Sequence, residues 1–235
     1  MAGDITTGDI IQYLCVTAGT IMEDASVDAI STLPKEANTR GDRVRALAVA
    51  GHEIYFLLAA AEIKAAGIVG FDTESRPTFV SGDVSEGPHV VQFALHDKAY
   101  LFQLHQAEGH PFLSELLQSE ELIKVGFGLK SDSRQIYAKL GVHLGGVVDL
   151  NTVFRLDGYH KEMGVRAAVG LVFKQRFAKS RKVTTSNWSM PKLTPQQMLY
   201  AANDAYAALK VLEAQGLPRD ELPIMGLPAQ SGSDE

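Results

Sequence analysis

The chain has 235 residues, of which 46% are hydrophobic and 21% are charged, and its formal net charge is −6. These values are typical of one large globular domain with a small extension, and they exclude the disordered and fibrous classes. The single cysteine, Cys15, excludes an internal disulfide and a cluster of thiolate metal ligands.

The predicted elements of the first quarter of the chain are mainly helical. Residues 1–43 are predicted to form an N-terminal helical extension, with a helix around residues 9–31 followed by a polar connector. Residues 44–50 have the composition of a short strand. Residues 53–66 have helical periodicity, and Gly67 is predicted to end that helix.

Five short apolar runs in the remainder predict buried strands. They cover residues 68–72, 89–96, 98–104, 122–127 and 145–150. The connection at Asp97 is tight enough to predict a hairpin between the second and third of these strands. The alternation of strands with helices predicts a single α/β domain over residues 44–217.

Helices separate the last strands of this domain and complete it. They are predicted over about residues 110–119 and 129–141 and from Thr194 to Gln215. In the last helix, Thr194 has the residue type of an N-cap and Pro195 suits the first helical position. Residues 218–235 are predicted to be a mobile tail.

The sequence lacks signals for membranes and for export. No apolar run approaches the roughly 18 residues of a membrane span. The first residues lack the basic start and apolar core of a signal peptide. We therefore expect an intracellular, cytoplasmic protein with no membrane partner, without excluding the nucleus. The sequence carries no signal for the oligomeric state.

Two acidic residues stand at the end of the first strand of the domain. In the stretch GFDTES, Asp72 and Glu74 are two residues apart, so the alternation of a strand points both side chains to one face. Neighbouring carboxylates repel each other, and a bound cation removes that repulsion. The alternative is a strand that runs out into solvent, with Asp72 opening a turn.

Three further acids follow later strands or lie on the last helix. Asp132, in VGFGLKSD, is in a first helical turn, where a carboxylate also offsets the helix dipole. Asp149, in VVDLNT, is predicted as a helix N-cap rather than as a ligand. Tyr200 and Asp204 are one turn apart, so they share a helical face. Taken alone, Tyr200 also fits a half-buried aromatic residue.

One long stretch of the chain is basic although the whole chain is acidic. Residues 163–203 contain seven Lys or Arg residues and no Asp or Glu. A solvated loop of chance composition would account for this. A groove for a polyanion such as nucleic acid is the functional interpretation.

Together the motifs resemble the DEDD, or DnaQ-like, superfamily of 3′→5′ exonucleases. GFDTESRPTF is similar to the family's first motif, VGFGLKSD to the second, and TSNWSMPKLTPQQMLYAANDAYAALKVL to the third. Tyr200 is typical of the DEDDy branch, which includes ribonuclease D and the Werner-type exonuclease domain. The similarity covers about residues 68–215, and residues 1–60 match no motif.

The resemblance implies a ribonuclease H-like fold, with a mixed five-stranded sheet flanked by helices. It implies an enzyme that hydrolyses phosphodiester bonds from the 3′ ends of single-stranded or overhanging DNA or RNA by a two-metal-ion mechanism. The implied ligands of Mg²⁺ or Mn²⁺ are Asp72, Glu74, Asp132 and Asp204, and carboxylate oxygen suits such hard ions. Tyr200 would orient the attacking water and help to deprotonate it.

Five residues are candidates for contacts with the nucleic acid. The backbone of Thr73 and the side chain of Arg134 would touch the terminal nucleotide, and Arg181 and Lys182 would contact phosphates. Trp188 would either stack on a base or pack beneath the site. Two other functions stay open, namely a scavenger of very short RNA oligomers and a non-catalytic nucleic-acid-binding protein that has kept the fold.

Overall fold

The computed structural model describes residues 12–16, 53–78, 86–177 and 179–225. Residues 12–16 and 53–55 are described by their backbone alone. The predicted strand at residues 44–50 and most of the predicted helix at residues 9–31 lie outside the described residues.

Six strands form one mixed sheet. They are β1 (Gln12–Val16), β2 (Ile68–Glu74), β3 (Val90–Ala94), β4 (Lys98–Gln103), β5 (Ile123–Gly126) and β6 (Val147–Asp149). Their order is β1-β4-β3-β2-β5-β6. Strands β2, β3 and β4 pair antiparallel, and the other three pairings are parallel. The five predicted strands and the predicted hairpin between β3 and β4 are confirmed.

Strand β1 was not predicted, because its residues fall within the helix expected around residues 9–31. The prediction of helix is wrong at Gln12–Val16, which pairs in parallel with β4 at the edge of the sheet. The segment QYLCV contains an aromatic and a β-branched residue, which suit a strand. The backbone groups of β4 supply partners that a local helical pattern cannot reveal.

Four of the described helices lie at the predicted positions with bounds that agree to within one residue, and three more lie between residues 150 and 184. They are α1 (Glu53–Ala66), α2 (His110–Gln118), α3 (Lys130–Leu140), α4 (Leu150–Leu156), α5 (Val165–Phe173), α6 (Arg181–Thr184) and α7 (Pro195–Gln215). Helix α1 ends at Gly67 and α3 at Gly141, with φ angles of 67° and 70° that favour glycine. Within the described ranges, no helix is long and apolar enough to cross a membrane.

The first turn of α7 is fixed by a reciprocal cap. The hydroxyl of Thr194 accepts a hydrogen bond from the backbone N–H of Gln197 at 3.2 Å. The side-chain oxygen of Gln197 accepts one from the backbone N–H of Thr194 at 2.9 Å. This capping box, with Pro195 next to it, confirms the predicted start of the helix.

The sheet separates two layers of helices because side chains alternate along its strands. Val69 and Phe71 of β2 are fully buried in the core that α1 and α2 cover. Gly70 faces the other way, against α7. Helix α7 forms the second layer together with α4 and α5, and it packs against this face of the sheet along almost its whole length. The carboxyl end of β2 therefore lies next to α7.

The first residues after α7 are not a free tail. Residues 218–225 were expected to be mobile, but Leu222 is buried and the N–H of Met225 donates a hydrogen bond to Val147 of β6 at 2.7 Å. That expectation is wrong for this segment, because the apolar residues of LPIM extend the core beside β6. Residues 226–235 lie outside the described ranges.

Candidate metal centre

A close approach of β2 to α7 creates the site. A methyl group added to Gly70 would lie 1.9 Å from the carbonyl oxygen of Ala205. Only glycine leaves room for the helix backbone at this distance. Because Asp72 follows Gly70 by two residues and Asp204 precedes Ala205, the contact brings the two carboxylates to the same place.

Three acidic side chains converge at this point. Asp72, Glu74 and Asp204 each offer a carboxylate oxygen, and these oxygens lie within 4.8 Å of one another. Asp204 is 4% exposed, and its Oδ1 atom accepts no hydrogen bond from any residue that the structure describes. A buried carboxylate oxygen without a donor, beside two more carboxylates, fits a divalent cation that prefers oxygen ligands.

Burial raises the pKa of all three carboxylates, and neighbouring negative charges raise the pKa of two of them further. Burial raises the pKa of Asp72 well above its usual range, and the charges of Asp204 and Asp132 raise it further. Burial, followed by the charges of Asp72 and Asp204, raises the pKa of Glu74 to about 10. Burial also raises the pKa of Asp204, although Lys179 acts against it. Such a cluster is stable in its ionised form only when a cation neutralises it.

Asp132 lies beside this cluster and is not one of its three converging members. Its Oδ1 atom accepts a hydrogen bond from the hydroxyl of Thr73 at 2.5 Å. The residue stands in the first turn of α3, where the sequence predicts it. Burial raises its pKa, and the bond from Thr73 lowers it. Since Thr73 lies between Asp72 and Glu74, this bond ties α3 to the strand that carries the first two acids.

Asp149 supports the segment in front of α3. Its carboxylate accepts hydrogen bonds from the backbone N–H groups of Gly128 and Leu129 at 3.1 and 3.0 Å. It also accepts one from Asn151 at 2.9 Å, which confirms the predicted N-cap of α4. One buried carboxylate thus fixes both the start of α4 and the loop that leads to Asp132.

Tyr200 shares the face of α7 with Asp204, as their spacing predicts. Its hydroxyl accepts a hydrogen bond from the hydroxyl of Thr184 at 3.0 Å. Its ring packs against Trp188, with 5.9 Å between the ring centroids. Burial, and then the charge of Asp204, raises the pKa of Tyr200. The phenol is therefore held in its protonated form by its surroundings. Sequence reasoning did not identify Thr184.

Lys179 is the main feature of the site that sequence reasoning missed. Its Nζ atom lies 2.5 Å from Oδ2 of Asp204 and 5.1 Å from the centroid of the Tyr200 ring. Burial lowers the pKa of Lys179, but the charge and hydrogen bond of Asp204, together with the contact to Tyr200, outweigh burial and raise it overall. The sequence signalled this residue only as one of seven positive charges in the stretch 163–203. The sequence holds no periodic pattern that would aim it at Asp204.

The predicted substrate contacts are of three kinds. The side chains of Arg134, on α3, and of Arg181 and Lys182, on α6, are exposed. The backbone N–H of Thr73 donates to Asp72 at 3.0 Å. Trp188 is completely buried, which favours the packing alternative over stacking on a base. Its indole N–H points back to the carbonyl of Thr184 at 3.5 Å.

Comparison with known proteins identifies relatives of this chain. The profile of a family described as 3′-5′ exonuclease matches residues 56–214. A mouse protein, bifunctional 3′-5′ exonuclease/ATP-dependent helicase WRN, is 30% identical over 162 residues, which are 68% of this chain and 12% of the mouse protein. An Arabidopsis thaliana 3′-5′ exonuclease is 32% identical over 143 residues, which are 60% of this chain and 49% of that protein. The chain thus spans about half or less of the curated relatives it matches.

Solved structures share the fold. Trypanosoma brucei RNase D in complex with RNA U12 superimposes with a TM-score of 0.63 at 19% identity. The superposition covers 73% of this chain and 62% of the trypanosome chain. The expected ribonuclease H-like fold, a mixed sheet flanked by helices, is thereby confirmed.

Proposed function

Because this chain belongs to the 3′-5′ exonuclease family, we propose that it is a DEDDy-type enzyme that removes nucleotides from the 3′ ends of nucleic acid. The proposal depends above all on the convergence of Asp72, Glu74 and Asp204, whose carboxylate oxygens lie within 4.8 Å of one another. Tyr200 stands one helical turn from Asp204 on the same helix.

The donor set favours Mg²⁺ or Mn²⁺ as the cofactor, since all the ligands on offer are carboxylate oxygens. Asp72, Glu74 and Asp204 would hold the metal, with Asp132 completing the acidic set from α3. Bound metal would supply an activated water molecule and stabilise the 3′ oxygen that leaves the phosphate.

Side chains of the protein would orient the attacking water and bind the nucleic acid. The Tyr200 hydroxyl, held by Thr184, would orient the attacking water through a hydrogen bond. The exposed Arg181 and Lys182 would contact phosphates of the strand, and Arg134 would touch the terminal nucleotide. Trp188 would support Tyr200 from within the core, because its ring lies against the phenol and has no exposed surface.

Single-stranded or overhanging nucleic acid is the proposed substrate class. The names of the relatives support it, since they include an exonuclease/helicase and an RNase D in complex with RNA U12. A scavenger of very short RNA oligomers would use the same residues. A comparison of 2-mers with 20-mers of DNA and RNA separates these substrates. The presence of every motif acid favours catalysis over binding alone.

The substitution Asp204→Asn tests the proposal directly. It removes a charged metal ligand, and we expect digestion of a 5′-labelled oligonucleotide to fall about a thousandfold or more. Tyr200→Phe, which keeps the ring and removes the hydroxyl, should cost about a hundredfold. The time course is run with Mg²⁺, Mn²⁺ and EDTA, and the ladder of products reports the polarity.

Asp157→Asn is the matched control, because this aspartate is exposed at the end of α4. It should leave the rate unchanged. Wild-type protein that digests no oligonucleotide of any length, or an Asp204→Asn variant with full activity, would contradict the proposal.

A further inference from the structure

The positively charged side chain of Lys179 forms an ion pair with one carboxylate of the acidic cluster. Its Nζ atom lies 2.5 Å from Oδ2 of Asp204, the most buried of the three converging acids. At this distance the ammonium neutralises Asp204 in the same way as a metal ion would. An ammonium and a divalent cation on one carboxylate would repel each other strongly in a partly buried site.

The side chain of Lys179 has room to leave Asp204 while its backbone stays in place. The guanidinium of Arg166 donates a hydrogen bond to the backbone carbonyl of Lys179, which anchors the chain there. A cavity of about 310 Å³ adjoins Lys179 and is lined also by Arg166, Gln175, Arg176 and Phe177. The side chain is 24% exposed, so its flexible stem can turn toward solvent.

We propose that Lys179 is an internal counter-ion that competes with the divalent metal for Asp204 and thereby sets the affinity of the site for metal. This inference rests on the proposed function, because Lys179 would act on the metal through its contact with Asp204. Without metal, Lys179 keeps the carboxylates from being left unneutralised. With metal, its ammonium leaves Asp204 and turns toward solvent. The enzyme thus gains a stable metal-free form and binds its cofactor less tightly than the carboxylates alone would.

The first experiment measures Mn²⁺ binding by calorimetry without nucleic acid. Lys179→Met removes the competing charge, and we expect Mn²⁺ to bind at least about tenfold more tightly. Lys179→Arg keeps a cation and should bind Mn²⁺ close to the wild-type affinity. Lys182→Met removes an exposed charge from the same stretch and should change the affinity less than about twofold. Equal or weaker Mn²⁺ binding by Lys179→Met would overturn the inference.

The second experiment uses unaltered protein and therefore does not depend on the folding of a variant. The protein is treated with an amine-acetylating reagent in EDTA or in saturating Mg²⁺, and each lysine is quantified by mass spectrometry. Mg²⁺ should increase the acetylation of Lys179 several-fold and leave that of Lys182 unchanged. Unchanged acetylation of Lys179 would overturn the competition.

The outcomes separate this inference from the proposed function. Wild-type protein that binds no Mn²⁺ and digests no nucleic acid would overturn both. Wild-type protein that binds Mn²⁺ and digests nucleic acid, with unchanged affinity in Lys179→Met, would overturn the competition alone.

Discussion

The contact between Gly70 and α7 allows a quantitative prediction for Gly70→Ala. The added methyl group would lie 1.9 Å from the carbonyl oxygen of Ala205, whereas ordinary contact begins at 3.4 Å. Strand and helix must therefore separate by about 1.5 Å. Overpacking of this size costs about 3 kcal/mol. In a domain of this length, that cost corresponds to a fall in melting temperature of about 6–12 °C.

The same separation should damage the metal centre, because Asp72 and Asp204 lie on the two elements that move apart. A site of this kind requires its ligands within about 0.5 Å of the productive geometry. We expect Gly70→Ala to bind Mn²⁺ about ten- to a hundredfold more weakly. Thermal unfolding in EDTA, followed by circular dichroism, measures the first effect, and calorimetry measures the second.

Gly164→Ala is the matched control for this prediction. A methyl group at Gly164 meets no atom within 4 Å, and the φ angle of −85° suits alanine. Its stability should stay within about 1 kcal/mol of wild type. If Gly70→Ala melted within 2 °C of wild type and bound Mn²⁺ normally, the described approach of β2 to α7 would be refuted.

Two more predictions concern pH and Asp149. Since the folded protein raises the pKa of Glu74 to about 10 from an ordinary 4.5, it holds a proton that the unfolded chain releases. The free energy of unfolding in EDTA should therefore fall as pH rises from 5 to 9, and Mg²⁺ should oppose the fall. Thermal melts at several pH values check this, and a flatter profile is expected for Glu74→Gln; a melting temperature that rises with pH in EDTA would contradict it. Asp149→Ala removes the acceptor of three backbone N–H groups. Urea titration should show that the free energy of unfolding falls by about 2–4 kcal/mol. The control Asp157→Ala, at an exposed position, should lower it by less than about 0.5 kcal/mol.

The parts of the fold that the sequence predicted are those with local causes. The five strands and the caps of α7 follow from apolar runs and from residue types a few positions apart. The spacing in Asp72-x-Glu74 and in Tyr200-x-x-x-Asp204 determines which side chains share a face. The sequence thus predicts the first acidic motif on β2 and the third on α7. The approach of β2 to α7 then brings them together.

The features that the sequence did not predict depend on distant parts of the chain. Strand β1 is a strand because β4, more than 80 residues later, offers a free edge. Lys179 reaches Asp204 from a segment between helices that has no periodic pattern. The burial of Trp188 depends on how α6 and α7 pack together. In each case the partner is specified by tertiary packing, which a single sequence pattern does not contain.

The burial of α7 has a consequence for how this protein fails under stress. Twelve of its residues are buried, from Gln197 to Leu212, and nine of them belong to two hydrophobic clusters on the two halves of one sheet face. A helix held in this way detaches only when the domain as a whole opens. Tyr200 and Asp204 therefore keep their positions until the domain unfolds. Heat or denaturant should inactivate and unfold the molecule in a single cooperative transition.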